Sequence, residues 1–175
     1  LFLAWRFGKN RVFFMIVVFA AISLALSEWG WRYDKSINFY FGPSRAWEIC
    51  AGSITAFVIQ NRKIKASNLL SLLGLAAIIL AFFAYDKRVP TPSLYTLVPV
   101  VGVVFIILFA DKETFTARLL STKLFVGIGL ISYSAYLWHQ PIFAFARIRS
   151  SEIPSSVLMF VLACMSFILG FLSWK

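Results

Sequence analysis

One histidine, two cysteines and seven acidic residues are all that this chain of 175 residues offers for metal ligation, disulfide formation and carboxylate chemistry. With no second histidine, no carboxylate cluster and no Cys/His spacing, a metal site built by this chain alone is not expected. Cys50 and Cys164 both lie inside apolar runs, so they read as small buried residues and say little about redox compartment. No Gly-x-Ser-x-Gly pattern surrounds Ser132 or Ser134, which argues against a serine hydrolase. There is no internal repeat, no low-complexity tract and no connection long enough to house a soluble domain. Acidic charge is scarce against 17 Lys and Arg, giving a net charge of +10. The basic residues are spread among short segments between apolar runs and do not form one stripe, so nucleic acid is not an expected partner.

What the chain has in excess is apolar and aromatic surface. Hydrophobic residues make up 61% of it, aromatic residues 18% and charged residues only 14%. An ordinary soluble domain carries about 45–50% apolar and about 25% charged residues. Nineteen Phe cannot all enter one soluble core of this size without leaving a large apolar surface in water. A bilayer removes that difficulty. Crossing a hydrocarbon core of about 30 Å takes about 20 mostly apolar residues. Six stretches answer to that description, approximately Val12–Gly30, Pro43–Gln60, Asn68–Tyr85, Ser93–Ala110, Phe125–Phe145 and Ser155–Ser173. They are too continuously apolar for barrel strands, and helices satisfy their own backbone groups. The predicted fold is therefore all-α, a polytopic transmembrane bundle of about six spans covering residues 1–175.

Cytoplasmic loops carry the excess of Lys and Arg. Arg6, Lys9, Arg11, Arg62, Lys63, Lys65, Lys112, Arg118, Lys123 and Lys175 fall on the side of the N-terminus. Arg32, Lys35, Arg45, Lys87, Arg88, Arg147 and Arg149 fall on the other, which puts both chain ends in the cytoplasm. Trp5, Trp29, Trp31, Trp47, Trp138 and Trp174 lie near the predicted span ends, as in an aromatic belt. No small-residue cleavage site follows the first basic cluster, so a cleavable signal peptide is not expected. Leu1 at the start, and an apolar run directly before Trp174-Lys175, suggest a piece of a longer membrane domain.

Ionisable residues in a span are costly, about 2.5–3.5 kcal/mol each on insertion scales, and are candidates for function. Two stretches qualify. In the first, Gly42-Pro-Ser-Arg-Ala-Trp-Glu-Ile-Cys-Ala-Gly-Ser, Pro43 suits a first helical turn. Arg45 and Glu48 then share a face at i, i+3 and can pair. This is either an interfacial ion pair that orients the helix or a substrate-facing site in which Arg45 meets an anionic group. The second, Gly127 to Phe143, holds the single histidine. Ser132, Tyr136 and His139 line one helical stripe, and Tyr133, Leu137 and Gln140 line the next. Pro141 predicts a kink or an end beside His139. His139 is either a hydrogen-bonded packing residue or a group able to exchange a proton near neutral pH. Span counting places both stretches near the same membrane face. Cysteines introduced at Ala46 and Leu137 are thus expected to cross-link in the full-length protein, and no cross-link at any linker length would refute a shared site.

Phe39-Tyr-Phe-Gly-Pro-Ser-Arg-Ala-Trp-Glu-Ile and Ile131-Ser-Tyr-Ser-Ala-Tyr-Leu-Trp-His-Gln-Pro-Ile-Phe resemble two segments of the membrane acyltransferase-3 family. The opening Leu3-Ala-Trp-Arg-Phe-Gly-Lys and the stretch Pro92-Ser-Leu-Tyr-Thr-Leu-Val-Pro-Val-Val-Gly are similar to it as well. The resemblance implies an integral protein of a bacterial inner membrane that O-acylates lipopolysaccharide, peptidoglycan or another envelope glycan. It covers the second half of the family's membrane domain. It implies acetyl-CoA or another acyl-CoA as co-substrate, with no tightly bound cofactor. The catalytic base in the family is a histidine of the first membrane helix, outside this chain, so this piece alone is expected to be inactive. Arg45, Glu48, Ser132, Tyr133, Tyr136, His139 and Gln140 would then line the donor or acceptor cavity. The partners implied are the bilayer, the missing N-terminal half and the glycan. The alternatives are a membrane transporter, for which intramembrane charge and a proline-interrupted helix also speak, or a structural membrane subunit.

Overall fold

A computed structural model describes residues 8–86, 89–149 and 155–174. Trp5, Arg6, Lys87, Arg88 and Lys175, named above, lie outside the described residues. Eight α-helices follow one another, with no strand among the described residues: α1 Lys9–Tyr33, α2 Lys35–Tyr40, α3 Ala46–Asn61, α4 Asn68–Ala84, α5 Leu97–Phe109, α6 Phe115–Leu120, α7 Lys123–Arg149 and α8 Ser156–Trp174. Short 3-10 turns, Gly42–Ser44 and Leu94–Thr96, lead into α3 and α5. The chain divides into two units, Leu1–Arg118 and Leu119–Lys175.

Each of the six long helices sits where an apolar run predicts one, and the fold is all-α. The span count is lower than expected. Among the described residues, only α1 and α8 are long and apolar enough to cross a membrane by themselves. The helix α4 and the segment Leu94–Phe109 are apolar but shorter, and α3 has 16 residues, about 24 Å at 1.5 Å per residue. The 27-residue α7 is long enough, but its Ser, Tyr, His and Gln dilute the apolar character. The short helices α2 and α6 are not foreseen by the apolar pattern.

In the first unit α1 and α3 run antiparallel. Phe13 packs on Phe57 at a ring distance of 5.7 Å, and ten residues further along α1 the Ser23 hydroxyl accepts from the Trp47 N–H at 3.0 Å. The α4–α5 pair is antiparallel too, joined at one end by Ser67 N–H to the Phe109 carbonyl, 3.0 Å, and at the other by the Tyr85 hydroxyl to the Tyr95 carbonyl, 2.7 Å. In its middle a Cβ on Gly74 would stand 2.6 Å from the Gly102 carbonyl oxygen, and one on Gly102 would stand 2.7 Å from that of Gly74. The backbones touch. In the second unit α7 and α8 form another hairpin, where a Cβ on Gly170 would meet the Ala135 backbone nitrogen at 2.8 Å.

Burial is inverted relative to a soluble domain. Among the described residues the buried hydrophobic ones are Val12, Trp47, Ala81 and Ala135, whereas Ser23, Ser27, Asn38, Ser44, Thr55, Ser71 and Ser166 are among the buried polar ones. Phe14, Phe19, Phe82, Phe83, Phe160 and many other large apolar side chains face outward. Small and hydroxyl residues let helices approach closely where no water drives apolar side chains together. Three of the buried hydroxyls are satisfied within their own helices: Thr55 donates to the Ala51 carbonyl at 2.7 Å, Ser71 to Asn68 at 3.1 Å and Ser166 to Leu162 at 2.9 Å, whereas the Ser27 and Thr116 hydroxyls are buried without a partner among the described residues. Two expectations are corrected by this packing. Cys164 is exposed and Cys50 half-buried, because the seams take glycine, alanine and serine and leave the thiols beside them. Trp47 is not in an outer belt; it is 3% exposed, held inside by the approach of α3 to Ser23.

Candidate functional site

The Arg45 stretch is positioned by a polar cluster on α1. Asp34 ends α1 and caps α2, its carboxylate accepting from the Ser36 and Ile37 N–H groups at 2.7 and 3.0 Å. The short α2 carries Asn38 inward, where its side-chain amide donates to the Ser27 carbonyl at 3.2 Å and the Pro92 carbonyl at 3.1 Å. Gly30 makes room for it, since a Cβ there would lie 2.5 Å from the Asn38 Oδ1. The Ser44 hydroxyl donates to the Asn38 carbonyl at 2.7 Å, and the Ser23 hydroxyl donates to the Pro43 carbonyl. Glu28 accepts from Arg32 at 3.0 Å and from the Leu94 N–H at 3.2 Å, tying the Leu94–Thr96 turn to α1. Asn38→Ala would take the side-chain donor from the Pro92 carbonyl and the second donor from the helical Ser27 carbonyl, and is expected to cost about 1–3 kcal/mol, read as a lower unfolding temperature in detergent with unchanged helix content in the folded state.

This cluster sets the entry to α3. Arg45 takes the position just before the helix, and its guanidinium lies 4.7 Å over the Phe39 ring. Glu48 occupies the first turn of α3, half-buried, where a carboxylate suits the positive end of the helix. The expected ion pair does not form, because Arg45 is drawn onto Phe39 and lies outside the helix on which i, i+3 spacing applies.

The His139 stretch lies in the second unit. Ser132, Tyr136 and His139 of α7 line one side of a groove of about 350 Å³, and Ala163, Ser166 and Phe167 of α8 line the other. The stripe read from the sequence is thus one wall of a groove. Tyr133 and Gln140 are exposed and lie outside it. The His139 ring packs between Tyr136, at 5.1 Å, and Phe143, at 6.0 Å. Its Nδ1 is bonded to the Tyr136 carbonyl. A carbonyl can only accept, so Nδ1 is the donor in this bond, and Nε2 has no hydrogen-bond partner among the described residues. The helix neither ends nor breaks here; α7 continues through Pro141 to Arg149. Proline removes one N–H, a loss that a helix packed along a neighbour tolerates. The Trp138 indole donates to the Ser173 hydroxyl of α8 at 3.2 Å, which fixes α8 beside the groove.

Arg45 and Glu48 belong to the first unit, and the five candidates from Ser132 to Gln140 to the second. Asn38, Ser23, Ser44 and Glu28, which hold the Arg45 stretch in place, are missed by motif reading. Polar residues interrupting the Val12–Gly30 run, Ser23 and Ser27, were the available signal. Among the described residues no group of three or more His, Cys, Asp and Glu stands together. Comparison with protein-family models, curated proteins and solved structures gave no match.

Proposed function

We propose that the chain is part of an integral membrane O-acyltransferase that moves an acyl group, in the first instance acetyl, from a thioester to a hydroxyl of an envelope glycan. The observation that carries this reading is the groove of Ser132, Tyr136 and His139, in which the bonded Nδ1 leaves Nε2 to meet a substrate hydroxyl. The two motif-bearing stretches supply the class. In the reaction the acceptor O–H loses its proton, a C–O bond forms at the acyl carbon, the C–S bond breaks and the thiol leaves. His139 orients the acceptor or donor, and Arg45 faces an anionic group of the donor. The base that takes the proton comes from a histidine in the N-terminal half of the same domain, and acetyl-CoA is a co-substrate that is not retained.

The outward-facing phenylalanines and the glycine and serine seams support a polytopic arrangement. In it α3, α4, α5 and α7 cross the membrane as α1 and α8 do, with both chain ends cytoplasmic. Alanine at Arg45, Glu48 and His139 of the full-length protein tests the assignment. Loss of glycan O-acylation at normal membrane levels is expected, and unchanged acylation in all three variants would overturn it.

A further inference from the structure

At the end of the first unit where α1 begins and α3 ends, a second groove, of about 260 Å³, carries a different chemistry. Its rim holds Lys9 and Arg62 with the amides of Asn10 and Asn61, and its floor is the Phe13–Phe57 pair. Asn61 donates to its own helix, to the Phe57 carbonyl at 3.0 Å, which leaves its amide oxygen and second N–H at the rim. Neither Lys9 nor Arg62 has an ion-pair partner among the described residues. Acidic side chains are absent from residues 8–27 and 49–85, while Arg11, Lys63 and Lys65 add positive charge to the same two chain segments. The helix α1 starts here without a side-chain cap and without an acidic residue in its first turn, so its free N–H groups add to the positive field.

Two unpaired cations above an aromatic floor match an amphiphilic anion, with its phosphate at the rim and its hydrocarbon along the rings. We propose that this groove holds the phosphate of an anionic phospholipid of the cytoplasmic leaflet, where such lipids attract basic juxtamembrane groups. The proposal rests on the membrane reading above but not on acyl transfer. A soluble phosphate could meet the same cations, but it would leave the Phe13–Phe57 floor unused.

The test uses the full-length protein in nanodiscs of phosphatidylcholine with or without phosphatidylglycerol, with retained lipid counted by native mass spectrometry. Resistance to alkaline extraction from membranes is measured separately, so a failure of the membrane reading is seen by itself. Phosphatidylglycerol is expected to be retained over phosphatidylcholine. That preference should fall about tenfold in the double variant Lys9→Gln, Arg62→Gln, and much less in Lys63→Gln, Lys65→Gln. An inserted protein without that preference, or with equal losses in both variants, would overturn the proposal. So would displacement of the lipid by millimolar inorganic phosphate, which would reassign the groove to a soluble anion.

Discussion

Valine at Gly74 or Gly102 is expected to separate α4 from α5 and to abolish stable accumulation of the protein. A Cβ at either position would stand 2.6–2.7 Å from a backbone carbonyl oxygen of the other helix, and backbone cannot rotate aside as a side chain does. Overpacking of this kind costs about 1–3 kcal/mol where neighbours can shift, and more where they cannot. The hairpin has little room to shift, because Ser67–Phe109 and Tyr85–Tyr95 bonds hold both ends. We expect at least about 3 kcal/mol, measured by unfolding in detergent. Gly127 and Gly129 serve as controls, since a Cβ on either meets nothing within 4 Å. Alanine there is expected to be neutral or stabilising by up to about 1 kcal/mol, the helix-propensity difference. Equal losses at Gly74 and Gly127 would refute the close helix contact.

His139→Ala is expected to lower glycan O-acylation by about 10–100-fold while leaving the amount of membrane protein unchanged. The range follows from the net worth of a hydrogen bond to a charged or developing charged group, about 1.5–3 kcal/mol. Stability should be spared, because His139 is only half-buried and its one hydrogen bond is to a carbonyl of its own helix. Tyr133→Phe is the matched control, since Tyr133 is 71% exposed and outside the groove. A loss at Tyr133 as large as that at His139 would mean that the groove is not where substrate sits.

The helices were legible in the sequence because each apolar run is bounded by polar residues, such as Ser67, which caps α4, and Ser93 before the turn into α5. Their lengths were less legible. Hydropathy counts apolar residues but does not register where the Gly42–Ser44 turn takes the first residues of a run away from α3. The seam of Ser132, Tyr136 and His139 was legible from spacing alone, since 3.6 residues per turn fixes which side chains share a face. The departure of Arg45 was not, because a spacing rule holds only inside a helix and the attraction of Phe39 acts from outside it. Asn38 was invisible for a related reason. One polar residue between Ile37 and Phe39 has no pattern of its own, and its burial depends on Gly30 of the preceding helix and on Pro92, 54 residues away in the sequence.

The seams of the two hairpins differ in what they would resist mechanically. The α4–α5 pair is tethered at both ends and in close backbone contact at its middle. Between α7 and α8 the buried Ser166 hydroxyl is committed to its own helix, and one side-chain hydrogen bond, Trp138 to Ser173, crosses the seam among the described residues. Sliding α8 along α7, a shear of the kind packed helices undergo, would break that bond and carry Gly170 off the Ala135 backbone on which it packs. Because Ser166 and Phe167 form the α8 wall of the groove, such a slide would change the width of the cleft over His139. The close contact of Gly170 with Ala135 is therefore the point at which the second unit resists such a slide.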